Sequence, residues 1–206
     1  MNDFFRVCSW INLIVLLILL TGGCAYISEK APIGYGPRTF SSPIAGVNRV
    51  RVRVVVMDER SDKSDKVSHK SEVLSDPSSK ETAMITATRS VPMTVCRALE
   101  RELENSGYIL GTGGAVVQVK LERFYNEWVT GFFFGSAVAN FRMTVTVLSD
   151  KDTAKQFYVT SINGTGIHKN CQLASGANAG MALTSALTQG MHRLMGDSRF
   201  SASIME

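Results

Sequence analysis

The histidines and cysteines are the side chains of this sequence that could bind a metal ion or act as nucleophiles. His168 lies three residues before Cys171, a spacing that metal ligands use, but no second pair of ligands accompanies it. His69 falls in a polar stretch, and His192 lies near the end of a predicted helix, where a cation suits the helix dipole. We therefore expect no metal site.

Motifs for catalysis are also missing from the sequence. The glycine-rich residues 111–114 follow a predicted helix and precede a predicted strand, the reverse of a phosphate-binding loop. Asp58 and Glu59 are adjacent and would point to opposite faces of a strand, which does not suit an acid–base pair. The sequence thus predicts a protein that is not an enzyme and has no catalytic residues.

Composition excludes two broad classes. The chain has 206 residues with 45% hydrophobic and 19% charged residues, which is ordinary for a folded domain and argues against global disorder. The net charge of +4 is mild, and aromatic and basic residues do not interleave. We expect no nucleic-acid partner.

Cys24 is the cysteine with the most informative surroundings. Arg6 and the free amine precede an apolar run at residues 11–20, and Thr21-Gly22-Gly23 lead directly to Cys24. This pattern is typical of a secretory signal. Residues 20–24 resemble the lipobox of bacterial lipoproteins, with threonine at 21 where leucine is usual. The alternative is an uncleaved signal anchor with an incidental cysteine.

Cleavage before Cys24 would leave the thiol as the acceptor of a covalent N-terminal lipid, the one non-protein group we expect. Ala25 rather than aspartate follows, which in enterobacteria-like sorting favours the outer membrane, with the protein facing the periplasm. We divide the chain into a signal (1–23), a Pro/Gly-rich tether (24–46), an α+β domain (47–197) and a C-terminal tail (198–206). At roughly 3.3 Å per residue, the tether could hold the domain several tens of ångströms from the membrane.

Cys96 and Cys171 would remain in an oxidising compartment. They could form one disulfide, or both could be free thiols, with Cys96 on the apolar face of a helix. The sequence does not give the distance between them.

The predicted elements follow the order β-α-β-β-β-α. Residues 47–57 alternate valine with arginine, and three later segments alternate in the same way (residues 117–122, 142–147 and 157–162). Residues 61–90 are predicted to be a polar loop with a weak strand near 83–87. Helices are predicted from Ser90 to Gly107 and over 173–195. Since each strand has one apolar face, we expect a two-layer α+β domain, with an antiparallel sheet of about four strands and both helices on one face.

Two features suggest a contact with another protein. Phe132, Phe133 and Phe134 are consecutive in a loop between strands, so either at least one is exposed or a bulge buries all three. Residues 170–191 contain no charged residue, and the outward side of this helix carries small polar residues, among them Asn178, Ser185 and Gln189. The helix could pack on a partner or on a second copy, or it could be an ordinary surface helix of low charge.

Four segments resemble the YajG-type family of bacterial lipoproteins. They are residues 54–60, the helix end at 99–108, the strand at 117–125 and the final helix ending Met195-Gly196-Asp197. The resemblance covers most of residues 47–197 and implies a small envelope lipoprotein with no catalytic residues to carry over. The phenylalanine loop and the charge-free helix look unlike the family.

These observations predict a non-enzymatic outer-membrane lipoprotein. We expect its domain to bind other envelope proteins, or a second copy, as a subunit of a larger assembly such as a secretion system or transporter. The alternative is a periplasmic lipoprotein that carries a lipid or small ligand in the apolar layer between helices and sheet.

Overall fold

The computed structural model describes residues 27–37, 49–71, 81–129, 131 and 134–206. These residues form eight strands and three helices. The strands are β1 (Glu29–Ala31), β2 (Arg51–Asp58), β3 (Lys66–Ser71), β4 (Glu81–Ala87), β5 (Ile109–Leu110), β6 (Ala115–Val129), β7 (Gly135–Ser149) and β8 (Gln156–Cys171). The helices are α1 (Val91–Asn105), α2 (Gly176–Met195) and α3 (Ser198–Ile204).

The larger sheet has five strands in the order β5-β2-β6-β7-β8 and is curled. Strands β6, β7 and β8 are antiparallel, but β2 runs parallel to both of its neighbours, β5 and β6. The predicted all-antiparallel sheet is therefore wrong. Alternation of valine and arginine in β2 indicates that one face of the strand is covered. It does not indicate the direction of the neighbouring strands. The intervening helix α1 provides the crossover that parallel strands need.

A second sheet of three strands, in the order β1-β4-β3, also contradicts the predicted two-layer fold. Most of it comes from the segment predicted to be a polar loop, and β1 comes from the segment predicted to be a tether. Ser68 and Lys70 are polar but buried in β3, so hydrophobic alternation does not reveal this strand. The Ser68 hydroxyl donates to the Asn126 carbonyl of β6, and the Asn126 amide donates to Ser68. Paired polar groups thus add to the apolar contacts that Val67 and Ile85 of the smaller sheet make in the core.

Helix α1 forms where the sequence predicts it. Pro92 lies in its first turn, and Gly107 follows its end with a φ of 98°. The Ser90 side chain makes no capping bond; instead the Asp65 carboxylate accepts from the Val91 N–H at 3.0 Å. The apolar face of α1 packs against β2 and β5, where Val95, Leu99 and Leu103 are fully buried.

Residues 198–206 include α3, which packs on the end of the sheet through the buried side chains of Phe200 and Ile204. The Tyr158 ring lies 5.8 Å from the Phe200 ring, and the Tyr158 hydroxyl donates to the Asp197 carboxylate at 2.8 Å. No helix among the described residues is long and apolar enough to span a membrane.

Candidate interaction surface

Helix α2 packs so closely against β8 that the two backbones are in contact. Gly164 and Gly166 face the helix, and a Cβ at either position would collide with the carbonyl oxygen of Ala186 or Ala182. Further along the helix, the Phe141 ring occupies the space beside Gly190. The small residues of α2 therefore let the helix approach the sheet of its own chain.

The segment around β1 packs on another side of the same helix. The Lys30 backbone lies against Gly176, and the Pro32 backbone lies against Gly180. The Gly34 N–H donates to the Thr184 hydroxyl at 3.1 Å. Two residues of extended chain advance about as far as four residues of helix, so residues 30–34 run beside α2 in the same direction.

Glu29 fixes this segment at the start of α2. Its carboxylate accepts from the Gly176 N–H at 2.6 Å and pairs with the buried Lys70 ammonium at 2.5 Å. Burial raises the pKa of Glu29, but the hydrogen bonds from Lys70 and Gly176 outweigh that effect and hold the pKa below its usual value. The carboxylate also suits the positive end of the helix dipole.

The outward side of α2 borders an open groove. The groove has a volume of about 490 Å³ and is lined by Ser185, Thr188, Gln189, His192 and Arg193. One turn before Ser185, the Met181 side chain is exposed. We name this surface the α2 outer face, defined by Met181 and the five groove residues. Ser185 and Gln189, two of the predicted partner-binding residues, lie together on it.

Two residues of the α2 outer face also cover the free edge of β8. Gln189 accepts from the Thr165 N–H at 2.7 Å, and Arg193 donates to the Asn163 carbonyl at 2.7 Å. An open edge strand can pair with another chain, so these bonds protect the sheet at this point. A partner at the groove would meet side chains rather than an open strand.

The other predicted site residues lie elsewhere. The Asn178 side chain donates to the Leu173 carbonyl at 3.0 Å, so Asn178 helps to hold the start of α2. Phe134 is exposed just before β7. Phe132, Phe133 and Cys24 lie outside the described residues.

Cys96 and Cys171 are both free thiols. Cys171 is buried at the end of β8 and contacts the His168 carbonyl at 3.3 Å. Cys96 lies on α1, where burial, with help from nearby Glu100, raises the pKa of its thiol to about 11. A thiol with that pKa is unreactive at neutral pH. Within the described residues, no group of three or more histidine, cysteine or acidic side chains could hold a metal ion.

A polar and aromatic cluster joins β3 to β6, and no pattern in the sequence indicates it. His69 Nδ1 lies 3.1 Å from the Tyr125 hydroxyl, and the two rings stack. The Trp128 indole donates to the His69 carbonyl at 2.6 Å. His69 stands 56 positions from Tyr125 and 59 from Trp128 and no motif links them, so only the pairing of the two sheets brings them together. We assign the cluster a structural role.

Comparison with known families identifies the class of protein. Residues 41–205 match the model of a family described as uncharacterized lipoprotein. The chain belongs to this lipoprotein family. The match confirms the expectation of a bacterial lipoprotein. No curated protein matches the sequence of the lipoprotein.

Solved structures resemble this lipoprotein at low sequence identity, and one with a TM-score above 0.5 shares its fold. Protein XCC0632 from Xanthomonas campestris has a TM-score of 0.57 at 13% identity, covering 82% of the lipoprotein and 93% of that chain. Hypothetical protein CT253 from Chlamydia trachomatis has a TM-score of 0.39 at 12% identity, with coverage of 71% and 96%. Lipoprotein GNA1162 from Neisseria meningitidis has a TM-score of 0.33 at 10% identity, with coverage of 58% and 83%.

Proposed function

We propose that this protein is a non-enzymatic lipoprotein, anchored by a lipid on Cys24 in the outer membrane and facing the periplasm. Its domain binds another envelope protein through the α2 outer face, as a subunit of a larger assembly such as a secretion system or transporter. Membership of the lipoprotein family and the signal-like residues 1–24 support the anchor.

The composition of the α2 outer face supports the binding role. A solvated helix normally carries lysine and glutamate on its outer side. This helix has no charged residue before Arg193, and the exposed side chains of Met181, Ser185 and Gln189 follow one another along one side. The glycines and alanines already pack inside the chain, so the outer side, which carries no charge before Arg193, is what this helix offers to a partner. That outer side is the observation that carries the proposal.

The alternative function, in which the domain carries a lipid or small ligand between its helices and its sheet, has less support. The backbones of α2 and β8 touch at Gly164 and Gly166, so a lipid or small ligand would have to separate them. The groove beside α2 is open to solvent rather than enclosed. A binding surface for a protein fits this geometry better than a ligand cavity.

A matched pair of substitutions tests the proposal. Met181 on α2 and Met93 on α1 are each 49% exposed, so Met181→Lys and Met93→Lys make the same change on two different helices. Each tagged lipoprotein is extracted from native envelopes in mild detergent, and its mass and the stoichiometry of bound proteins are measured. We expect Met181→Lys to lose a stoichiometric partner, or a second copy, that wild type and Met93→Lys retain.

Two results would contradict this function. Equal recovery of the partner with both variants would place the contact elsewhere. A wild-type protein that is monomeric, free of partners and loaded with lipid would favour the ligand-carrying alternative.

A further inference from the structure

Five exposed apolar side chains lie at one end of the domain. Each is between 48% and 69% exposed. We name this set the anchor-side patch; its members are Ile27, Val129, Phe134, Ile167 and Leu173. Exposed apolar clusters of this kind mark contacts with another protein or with a membrane.

Strand register places four members of the patch together. Strand β6 ends at Val129, which pairs with Ser136, and β7 begins immediately after Phe134. Gly135 pairs with Cys171, so Leu173, just past the end of β8, lies at this same end. Ile167 pairs with the half-buried Val138, which lies two residues further along β7 than Ser136, the partner of Val129. Val129 and Ile167 are separated by strand β7 and by two residues of register, roughly 12 Å, so the four side chains lie near the same end of the sheet without pairing directly with one another.

The path of the N-terminal segment brings Ile27 to the same end. Residues 30–34 run beside α2 in the direction of the helix, and Glu29 is bonded to Gly176 in the first turn. Traced backwards, the chain therefore leaves the domain past the start of α2. That start directly follows β8, so the chain emerges beside Leu173.

Cys24 is only three residues before Ile27. Three residues of fully extended chain span at most about 11 Å. A lipid on Cys24 therefore lies much closer to the domain than the length of residues 24–46 alone implies, because residues 29–35 are bound to the helices.

We propose that the anchor-side patch lies against the bilayer that holds the lipid, so that the domain rests on the membrane in one fixed orientation. This inference rests on the proposed lipidation of Cys24. The lipid brings the patch within reach of the bilayer surface, and burial of exposed apolar area then favours contact. The exposed side chains of Lys30 and Lys169 flank the patch, and among the described residues neither forms an ion pair. Such cations suit the anionic headgroups of a membrane surface.

Strand β8 provides a matched pair of probe positions. Ile167 and Val159 lie on the same outward side of β8, and they are 55% and 48% exposed. Eight residues of strand separate them, roughly 26 Å. Leu173 serves as a second probe at the patch, outside any strand. A benzophenone amino acid is placed at one of the three positions in the full-length lipoprotein, and each product is reconstituted into vesicles of phosphatidylethanolamine and phosphatidylglycerol.

After irradiation, the fraction of protein crosslinked to phospholipid is measured by mass spectrometry, together with the mass of the peptide that begins at Cys24. We expect at least tenfold more lipid adduct at positions 167 and 173 than at 159, with Cys24 acylated. Equal yields at 167 and 159, or adducts between two copies at 167, would overturn the orientation while leaving the anchor intact. An unmodified Cys24 would overturn the proposed anchor, and the orientation with it.

Discussion

Replacing Gly166 by alanine is predicted to destabilise the domain, although alanine is normally the better residue in a strand. At an ordinary strand position the change stabilises by about 0.5–1 kcal/mol, because glycine loses more conformational freedom on folding. At Gly166 the new Cβ would collide with the Ala182 carbonyl oxygen. It would also lie 2.5 Å from the Ala186 nitrogen and 2.9 Å from the Ser185 Cβ.

The size of the effect follows from the displacement that this Cβ requires. Ordinary van der Waals contact begins at 3.4 Å, so α2 must move away from β8 by roughly 1–1.5 Å. A gap of about 0.5–1 Å removes roughly a quarter to a half of the dispersion energy of each atom pair across it. Overpacked cores lose about 1–3 kcal/mol. Allowing for the gain in strand propensity, we expect a net loss of about 1–2 kcal/mol, or roughly 2–8 °C in Tm.

Thermal unfolding of the detergent-solubilised lipoprotein, followed by circular dichroism, measures this change. Gly34→Ala is the matched control, since a Cβ at Gly34 meets nothing within 4 Å and the Gly34 N–H remains available to Thr184. We expect the control to leave Tm unchanged or slightly raised. A Tm for Gly166→Ala at or above the wild-type value would refute the backbone contact between α2 and β8.

Two further predictions concern titratable groups. A hydrogen bond from Arg199, together with one from Tyr158, lowers the pKa of Asp197 to about 2. Because the folded pKa lies below the unfolded value, this contribution to stability is complete above about pH 4 and is lost as the pH falls towards 2. Unfolding measured between pH 5 and 2 should therefore show a shallower loss for Asp197→Asn than for wild type, and parallel curves would contradict this. Because the pKa of Cys96 is raised, we expect alkylation of Cys96 at pH 8 to be much slower in the folded protein than after unfolding. A Cys96–Cys171 disulfide in the native protein would contradict the free thiols.

The elements that follow a simple hydrophobic period were predictable from the sequence. Helix α1 has a clear apolar stripe and a glycine stop, and its ends agree with the structure. The alternating segments around residues 119, 145 and 159 all lie in strands of the larger sheet. In each case one face is buried against apolar neighbours, which is the information that periodicity carries.

The strand predicted near residues 83–87 lies in β4, but the rest of the second sheet and the strand directions were not predictable in this way. Strand β3 buries the polar side chains of Ser68 and Lys70. The free-energy cost of burying them is offset by the hydrogen bonds between Ser68 and Asn126 and by the ion pair between Lys70 and Glu29. Those partners are distant in sequence, so nothing local distinguishes β3 from a polar loop. The parallel pairing of β2 with β6 depends on how α1 crosses the sheet, which the residues of β2 do not encode.

The candidate surface was predictable in part. The missing charges of α2 indicated an unusual outer side, and Ser185 and Gln189 do lie together beside the groove. The small residues indicated a close backbone neighbour but not which chain supplies it; β8 and residues 30–32 of the same chain do so. Ile27 and Leu173 carried no signal, because a single exposed apolar residue is ordinary until the fold places it beside others.

The mass of the mature N-terminus tests the central claim most directly. The lipoprotein is isolated from the envelope of cells that make it naturally, rather than from another expression host. The mass of its N-terminal peptide is then measured by mass spectrometry. A peptide that begins at Cys24 and carries acyl chains is the predicted result. A peptide that retains Met1, or one that begins at Cys24 without any lipid, would contradict the account.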